Sequence, residues 1–280
     1  MKNRLLHQLL VISTLFPIGL SATAEGKPAY WNQFRGPNGD GVSAATELPV
    51  EFDESTNVCW NTPMPDFGWS SPVIWGNEIW LTTGNDEKKE LRTICVELQT
   101  GKITKDIKVF DMIEHKLNRT YRFDSPHLNS PATPTPVMEE NRVFVSLGSQ
   151  GVACLDRNMG HKLWRRRDLQ FYQPVCQGSS PIVDDNNPYV AFDGKFEQSF
   201  AALDTTTGET RWKSDRNVGT DWTATLVASG IASDKVDDKH DDNQNSFATA
   251  TLVEVNGWPQ LIAPTAEAVM SYHSDSGEEL

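Results

Sequence analysis

The residues best suited to chemistry are few and scattered. Four cysteines, Cys59, Cys95, Cys154 and Cys176, allow three full disulfide pairings if the chain meets an oxidising compartment. No Cys-x-x-Cys occurs, so neither a structural zinc site nor a dithiol redox motif is indicated. His115 and His127 lie 12 residues apart in a polar stretch and read as solvent-exposed loop residues. Gly36 to Gly41, with Asp40 between the glycines, superficially suggests a calcium loop. It lacks the further carboxylates and closing glutamate that such a loop needs, and reads as a hairpin of tight turns. Asp234 to Asn245 packs five aspartates with two lysines and His240, a solvated loop without ligand spacing. Gly148-Ser149-Gln150-Gly151 misses a nucleophile elbow by one residue, and neither His-Glu-x-x-His nor a phosphate-cradling glycine loop is present. No catalytic, cofactor-binding or metal-ligating residue is assigned.

Stepping from side chains to the elements that hold them, the dominant feature is repetition. Ser180-Pro181-Ile182-Val183 is followed by apolar runs at 189–192 and 200–204, a turn at Thr207-Gly208, and Trp212. An earlier copy runs from Thr135-Pro136-Val137 to Met159-Gly160 and Trp164, another from Ser71-Pro72-Val73 to Thr100-Gly101, and a last from Ala250 to Ser276-Gly277. Four residues before each glycine stand Glu97, Asp156, Asp204 and His273. Two before those stand Cys95, Cys154, Ala202 and Ser271, which makes the two cysteines small core residues rather than a disulfide pair. Short β-branched and aromatic runs punctuated by Gly, Pro, Asn and Asp are strands and turns. Four strands per unit cannot bury both faces alone, so the units are expected to stack radially. The expected fold is all-β: a β-propeller of four-stranded antiparallel blades, with about four blades at approximately 68–110, 131–170, 177–216 and 246–280.

The pattern Ala-x-Asp-x-x-Thr-Gly-x-x-x-Trp at Ala202 to Trp212 resembles the repeat of pyrroloquinoline-quinone (PQQ) type propellers. That superfamily includes quinoprotein dehydrogenases and the non-enzymatic outer-membrane assembly lipoprotein. Trp31 to Gly41 is similar to the start of exported PQQ-like proteins of unassigned role. The resemblance implies a cofactor and calcium only for enzymatic members, which carry an adjacent cysteine pair and a Glu, Asn and Asp ligand set. No Cys-Cys exists here and the ligands cannot be matched residue by residue, so that active site is not transferred. The resemblance also implies more than four blades, so the chain is expected to be a truncated form of a longer propeller. The alternative is that a ring-closing strand at 57–64, around Trp60, supplies the strand missing after Gly277.

Residues 1–24 read as a signal peptide, with Lys2 and Arg4, an apolar run from Leu5 to Leu20, and Ala22-Thr23-Ala24 as cleavage site. Residues 25–67 form a turn-rich lead-in, and no run beyond the signal is apolar enough to span a bilayer. No cysteine follows the cleavage point to carry a lipid. The formal net charge of −13, or −15 without Lys2 and Arg4, lacks the basic footprint of a nucleic-acid binder. The connection 111–132, with a sequon at Asn118, and the insertion after Trp212 up to about Ser246 would form a natural partner surface if they share a face. The expectation is an exported, periplasmic or extracellular, non-enzymatic scaffold that binds a protein or an envelope component. Two alternatives remain: a PQQ-dependent oxidoreductase or its remnant, and carbohydrate binding through Trp31, Trp69 or Trp222.

Overall fold

A computed structural model describes residues 30–113 and 129–280, apart from 47, 86, 170, 172, 174–175, 185–186, 195–197, 217–245 and 267. The signal segment, His115, His127, Asn118, Trp222 and the acidic run at 234–245 lie outside these residues.

Each repeat makes one antiparallel sheet. The first contains β2 (Val73–Trp75), β3 (Glu78–Asn85), β4 (Glu90–Glu97) and β5 (Ile103–Asp111), with β1 (Tyr30–Trp31) added beside β2. The second contains β6 (Val137–Met138), β7 (Arg142–Ser146), β8 (Val152–Asp156) and β9 (Lys162–Arg166). The third contains β10 (Ile182–Val183), β11 (Pro188–Asp193), β12 (Gln198–Leu203) and β13 (Thr210–Asp215). The fourth contains β14 (Thr251–Val255), β15 (Trp258–Pro264) and β16 (Val269–His273), with an isolated bridge from Tyr272 to Glu279. In every sheet the strands lie side by side in chain order, as the blades of a propeller do. The chain forms a partial, four-bladed β-propeller.

The cores lie between blades. In β7, Val143 and Val145 pack toward the first blade while Phe144 packs toward the third; in β8, Ala153 and Leu155 face one way and Val152 and Cys154 the other. Middle strands buried on both faces read as unbroken apolar runs, which is why alternation was absent there. The outer strands β5 and β13 have one wet face, and their burial alternates along the chain.

The turn between third and fourth strands is the same in all four blades. Gly101, Gly160, Gly208 and Gly277 each donate an N–H to the carbonyl four residues back, at Glu97, Asp156, Asp204 and His273, over 2.8–2.9 Å. The reversal needs a positive φ, which is +73° at Gly208, and glycine supplies it without Cβ strain. The residue four before the glycine braces the turn with its side chain: Asp204 Oδ1 accepts the N–H groups of Thr206 and Thr207, each at 2.8 Å.

These turns are also the sockets of the blade interfaces. The Trp164 indole of the second blade donates to Thr205 O of the third at 3.0 Å, and Trp212 of the third donates to Ser274 O of the fourth at 2.8 Å. Both acceptors stand three residues before the socket glycine. Within its own sheet, Trp164 pairs with Cys154 and Trp212 with Ala202, so the small residue leaves room for the ring. Cys154 is therefore a spacer in the core. Among the four turns, the socket at Gly160 takes no indole. Lys105 and Ile107 cover it, and the Lys105 ammonium bonds Glu78 at 2.8 Å and lies 5.3 Å above the Trp80 ring.

Residues 57–64 form no strand, yet Trp60 treats the first blade as Trp164 treats the third. Its Nε1 donates to Leu98 O at 2.9 Å, and its ring covers Gly101. Two residues on, the Thr62 hydroxyl donates to Gly101 O at 2.6 Å, just as Arg166, two residues after Trp164, donates to Gly208 O at 2.6 Å. The segment thus stands against the first blade as Trp164 and Arg166 stand against the third.

Candidate interaction surface

Antiparallel strands in chain order divide the connections between two edges of the propeller. Turns joining the first to the second strand and the third to the fourth lie on one edge, here the turn edge. Turns joining the second to the third, and all connections between blades, lie on the other, the loop edge. The two long connections, 112–136 and 216–250, both link one blade to the next, so both leave and re-enter at the loop edge.

Near the axis this edge is fastened by a belt of hydroxyls. Ser71 N–H donates to Thr135 Oγ1 at 3.0 Å, Thr135 N–H to Ser180 Oγ at 2.9 Å, and Ser180 N–H to Thr249 Oγ1 at 3.0 Å. In the second, third and fourth blades the first strand is preceded by the hydroxyl that satisfies a backbone donor of the blade before it. Buried donors need such partners, and the belt supplies them without any regular sheet crossing the interface. Thr82 adds to it, its hydroxyl bonding Ala132 O at 3.1 Å.

The roots of the two long connections are held by buried polar groups. Gln150 sits in a 3₁₀ turn, Gly148–Gln150, between β7 and β8; its Oε1 accepts Ile113 N–H at 2.7 Å and its Nε2 donates to Ile113 O at 3.1 Å. Ser149 beside it is buried, so Gly148 to Gly151 anchors a loop rather than exposing a nucleophile. Arg216, where the second connection departs, is 2% exposed and pairs with Asp193, 3% exposed, at 2.9 Å. Its guanidinium lies 4.9 Å over Phe200 of the third blade and 5.9 Å over Tyr272 of the fourth. Burial pushes the Asp193 carboxyl up to about 6, and Arg216 opposes that shift.

All four cysteines are unpaired. Burial raises the thiols of Cys95 and Cys154 and lifts Cys176 to about 12, so none of the three is a thiolate nucleophile at neutral pH. Among the described residues no three His, Cys, Asp or Glu side chains cluster, and Asp193 already faces a fixed guanidinium. Of the tryptophans weighed for sugar binding, Trp31 packs its ring against Gly36 on the innermost strand. Trp69 sits at the loop edge with its backbone N–H donating to Ala132 O. The structure does not bring the two together.

Residues 120–236 match the family model described as outer membrane protein assembly factor BamB. This stretch, less than half of the chain, is similar to the PQQ-type propeller repeat. Similar solved structures include a quinohemoprotein alcohol dehydrogenase from Comamonas testosteroni, 11% identical with TM-score 0.48, covering 77% of this chain and 34% of that one. A europium-containing methanol dehydrogenase is 13% identical with TM-score 0.45, covering 74% and 40%. BamB from Moraxella catarrhalis is 16% identical with TM-score 0.35, covering 74% and 65%. The chain thus spans less than two thirds of each of these proteins. No curated protein sequence matches it. Among the described residues no helix is long and apolar enough to cross a membrane.

The hydroxyl belt and the Gln150 and Arg216 anchors were not singled out in the sequence. The belt had a signal, since Ser71, Thr135, Ser180 and Thr249 recur in register. Arg216 had none, because the matching place four residues after Trp164 holds Asp168.

Proposed function

We propose that this chain is part of an exported, non-enzymatic propeller that acts as a protein-interaction scaffold of the cell envelope, with the loop edge as its partner surface. One observation carries the reading. The two longest connections spring from the same edge, and each is rooted in a rigid scaffold by a buried polar group, Gln150 on Ile113 and Asp193 on Arg216. Loops on rigid scaffolds are where binding concentrates. The description of the matching family, an outer membrane protein assembly factor, supports an envelope location and a role among proteins. Residues 57–64 serve in this reading as the outer strand of a neighbouring blade.

The test is site-specific photo-crosslinking in the producing cell. Probes placed within 114–128 and 217–245 are expected to give a discrete protein adduct that probes on the outer strand β9 do not. Adducts independent of probe position would count against the reading. A titration with PQQ and calcium, followed by tryptophan fluorescence, separates the enzymatic alternative. Saturable, calcium-dependent quenching accompanied by dye-linked alcohol oxidation would replace the scaffold with an oxidoreductase.

A further inference from the structure

The hairpin after β1 reaches across to β10 and β14, the first strands of the third and fourth blades, and closes a cavity of about 310 Å³ against them. The hairpin is pinned along its length. Trp31 lies over Gly36, the Gly41 N–H donates to Arg35 O at 2.8 Å, and Gly39 faces the Thr251 side chain. Arg35 is held there at a φ of +64°, a left-handed conformation that costs free energy for a residue with a Cβ. It borders the cavity with its guanidinium 5.3 Å from the Phe34 ring centre, and among the described residues no carboxylate pairs with it.

The lining narrows the ligand class. Beside Arg35 its polar part offers donors. Asn38 carries an amide, and Thr249 accepts the Ser180 N–H through Oγ1 at 3.0 Å, which leaves its own O–H free to donate. No Asp or Glu is among the described lining residues, although the chain carries a formal charge of −13. Guanidinium and hydroxyl donors suit a carboxylate or a phosphate. Ile182 and Leu252 supply apolar wall, which asks for an apolar body on the same ligand and so favours the carboxylate. One acceptor is left over. Gln33 also lines the cavity, and its Oε1 is buried without a hydrogen-bond partner, so it calls for an N–H. A carboxylate, an adjoining N–H and an apolar side chain occur together in the C-terminal residue of a polypeptide and in a free N-acyl amino acid. We infer that this cavity binds an apolar residue by its free α-carboxylate, with Arg35 as the anion-binding group.

The experiment is a ligand-observed NMR titration of the whole chain with N-acetyl-leucine, beside N-acetyl-leucinamide and inorganic phosphate. N-acetyl-leucine is expected to bind, and to weaken roughly 10-fold when its carboxylate is replaced by the amide or when Arg35→Gln is introduced. Arg35→Lys should keep part of the affinity, and thermal melting of each variant checks that the fold is intact. An octapeptide ending in a free leucine separates the two sources. Tighter binding than N-acetyl-leucine assigns the cavity to the C-terminus of a partner chain, and equal or weaker binding to a free N-acyl amino acid. Absence of N-acetyl-leucine binding at about 10 mM, equal binding of the amide, or indifference to Arg35→Gln would overturn the inference. So would phosphate competing as well as N-acetyl-leucine, or tighter binding of PQQ, which would give the cavity to the enzymatic alternative. Loop-edge crosslinks without N-acetyl-leucine binding would remove this inference alone; loss of the crosslinks would remove the scaffold reading and leave this one standing.

Discussion

Trp164 rests on Gly208. Its indole nitrogen bonds the carbonyl of Thr205 at 3.0 Å, and a Cβ added to Gly208 would stand 2.6 Å from the ring. One residue of the second blade and one of the third therefore define each other: the ring needs a bare glycine, and the glycine's turn needs the ring to cover it.

Removing either half should be costly. Trp164→Ala is expected to destabilise the chain by about 3–5 kcal/mol, the usual range for emptying a large aromatic site. Gly208→Ala combines a φ of +73° with collision against the ring and should cost at least about 1–3 kcal/mol. Urea unfolding followed by tryptophan fluorescence measures both, and a loss below 1 kcal/mol for Trp164→Ala would show the socket to be incidental.

The belt makes a separable prediction. Thr135→Val keeps the shape but leaves the Ser71 N–H without its acceptor, at a cost of about 1–3 kcal/mol. Thr135→Ser should restore most of it. Amide exchange at Ser71 should accelerate in the valine variant and not in the serine one.

At the root of the second long connection, Asp193→Asn leaves the Arg216 charge buried beside a neutral amide. About 3–5 kcal/mol of stability should be lost. Asp193→Asn with Arg216→Met removes both charges and should recover much of that loss. A double variant as unstable as the single one would contradict the account.

Acid should loosen the third-blade turn. The N–H groups of Thr207 and Thr206, together with Arg211, hold the Asp204 carboxyl down to about 2. A depressed carboxyl stabilises the fold above its unfolded value near 4, and this contribution disappears as pH falls from about 4 to about 2. Melting temperatures of the wild type should therefore drop more steeply across that window than those of Asp204→Asn, which should already be the less stable at pH 5.

The repeat was legible because the same physical problem is solved four times. A glycine, a bracing side chain four residues before it and a small residue two before that recur because each turn must reverse and be satisfied, and three of the four admit a ring. Cys154 and Ala202 could be placed in the core from that register alone, and each does stand opposite a tryptophan. What stayed hidden was whatever depends on neighbours distant in sequence. Gln150 looked like part of a failed nucleophile motif until Ile113 stood beside it. Arg216 carried no local sign that it would be sealed between Phe200 and Tyr272. The cavity under the hairpin draws Arg35 and Thr249 from segments more than two hundred residues apart, and no spacing rule connects them. The first unit carries Lys105 where the second and third carry Trp164 and Trp212, and only Gly160 and Glu78 in space explain how a lysine fills that place.

The placement of β1 has a consequence for the order of events during synthesis. Tyr30 and Trp31 pair with β2, and Asn32 bonds both the N–H and the carbonyl of Met138, 106 residues further along. The strand partner of this aromatic pair emerges with the first blade, whereas the partner of Asn32 waits for β6. The tie between the innermost strand and the second blade therefore forms late, because a loop of more than a hundred residues must close first. The inner edge of the first blade is finished only once its neighbour has begun.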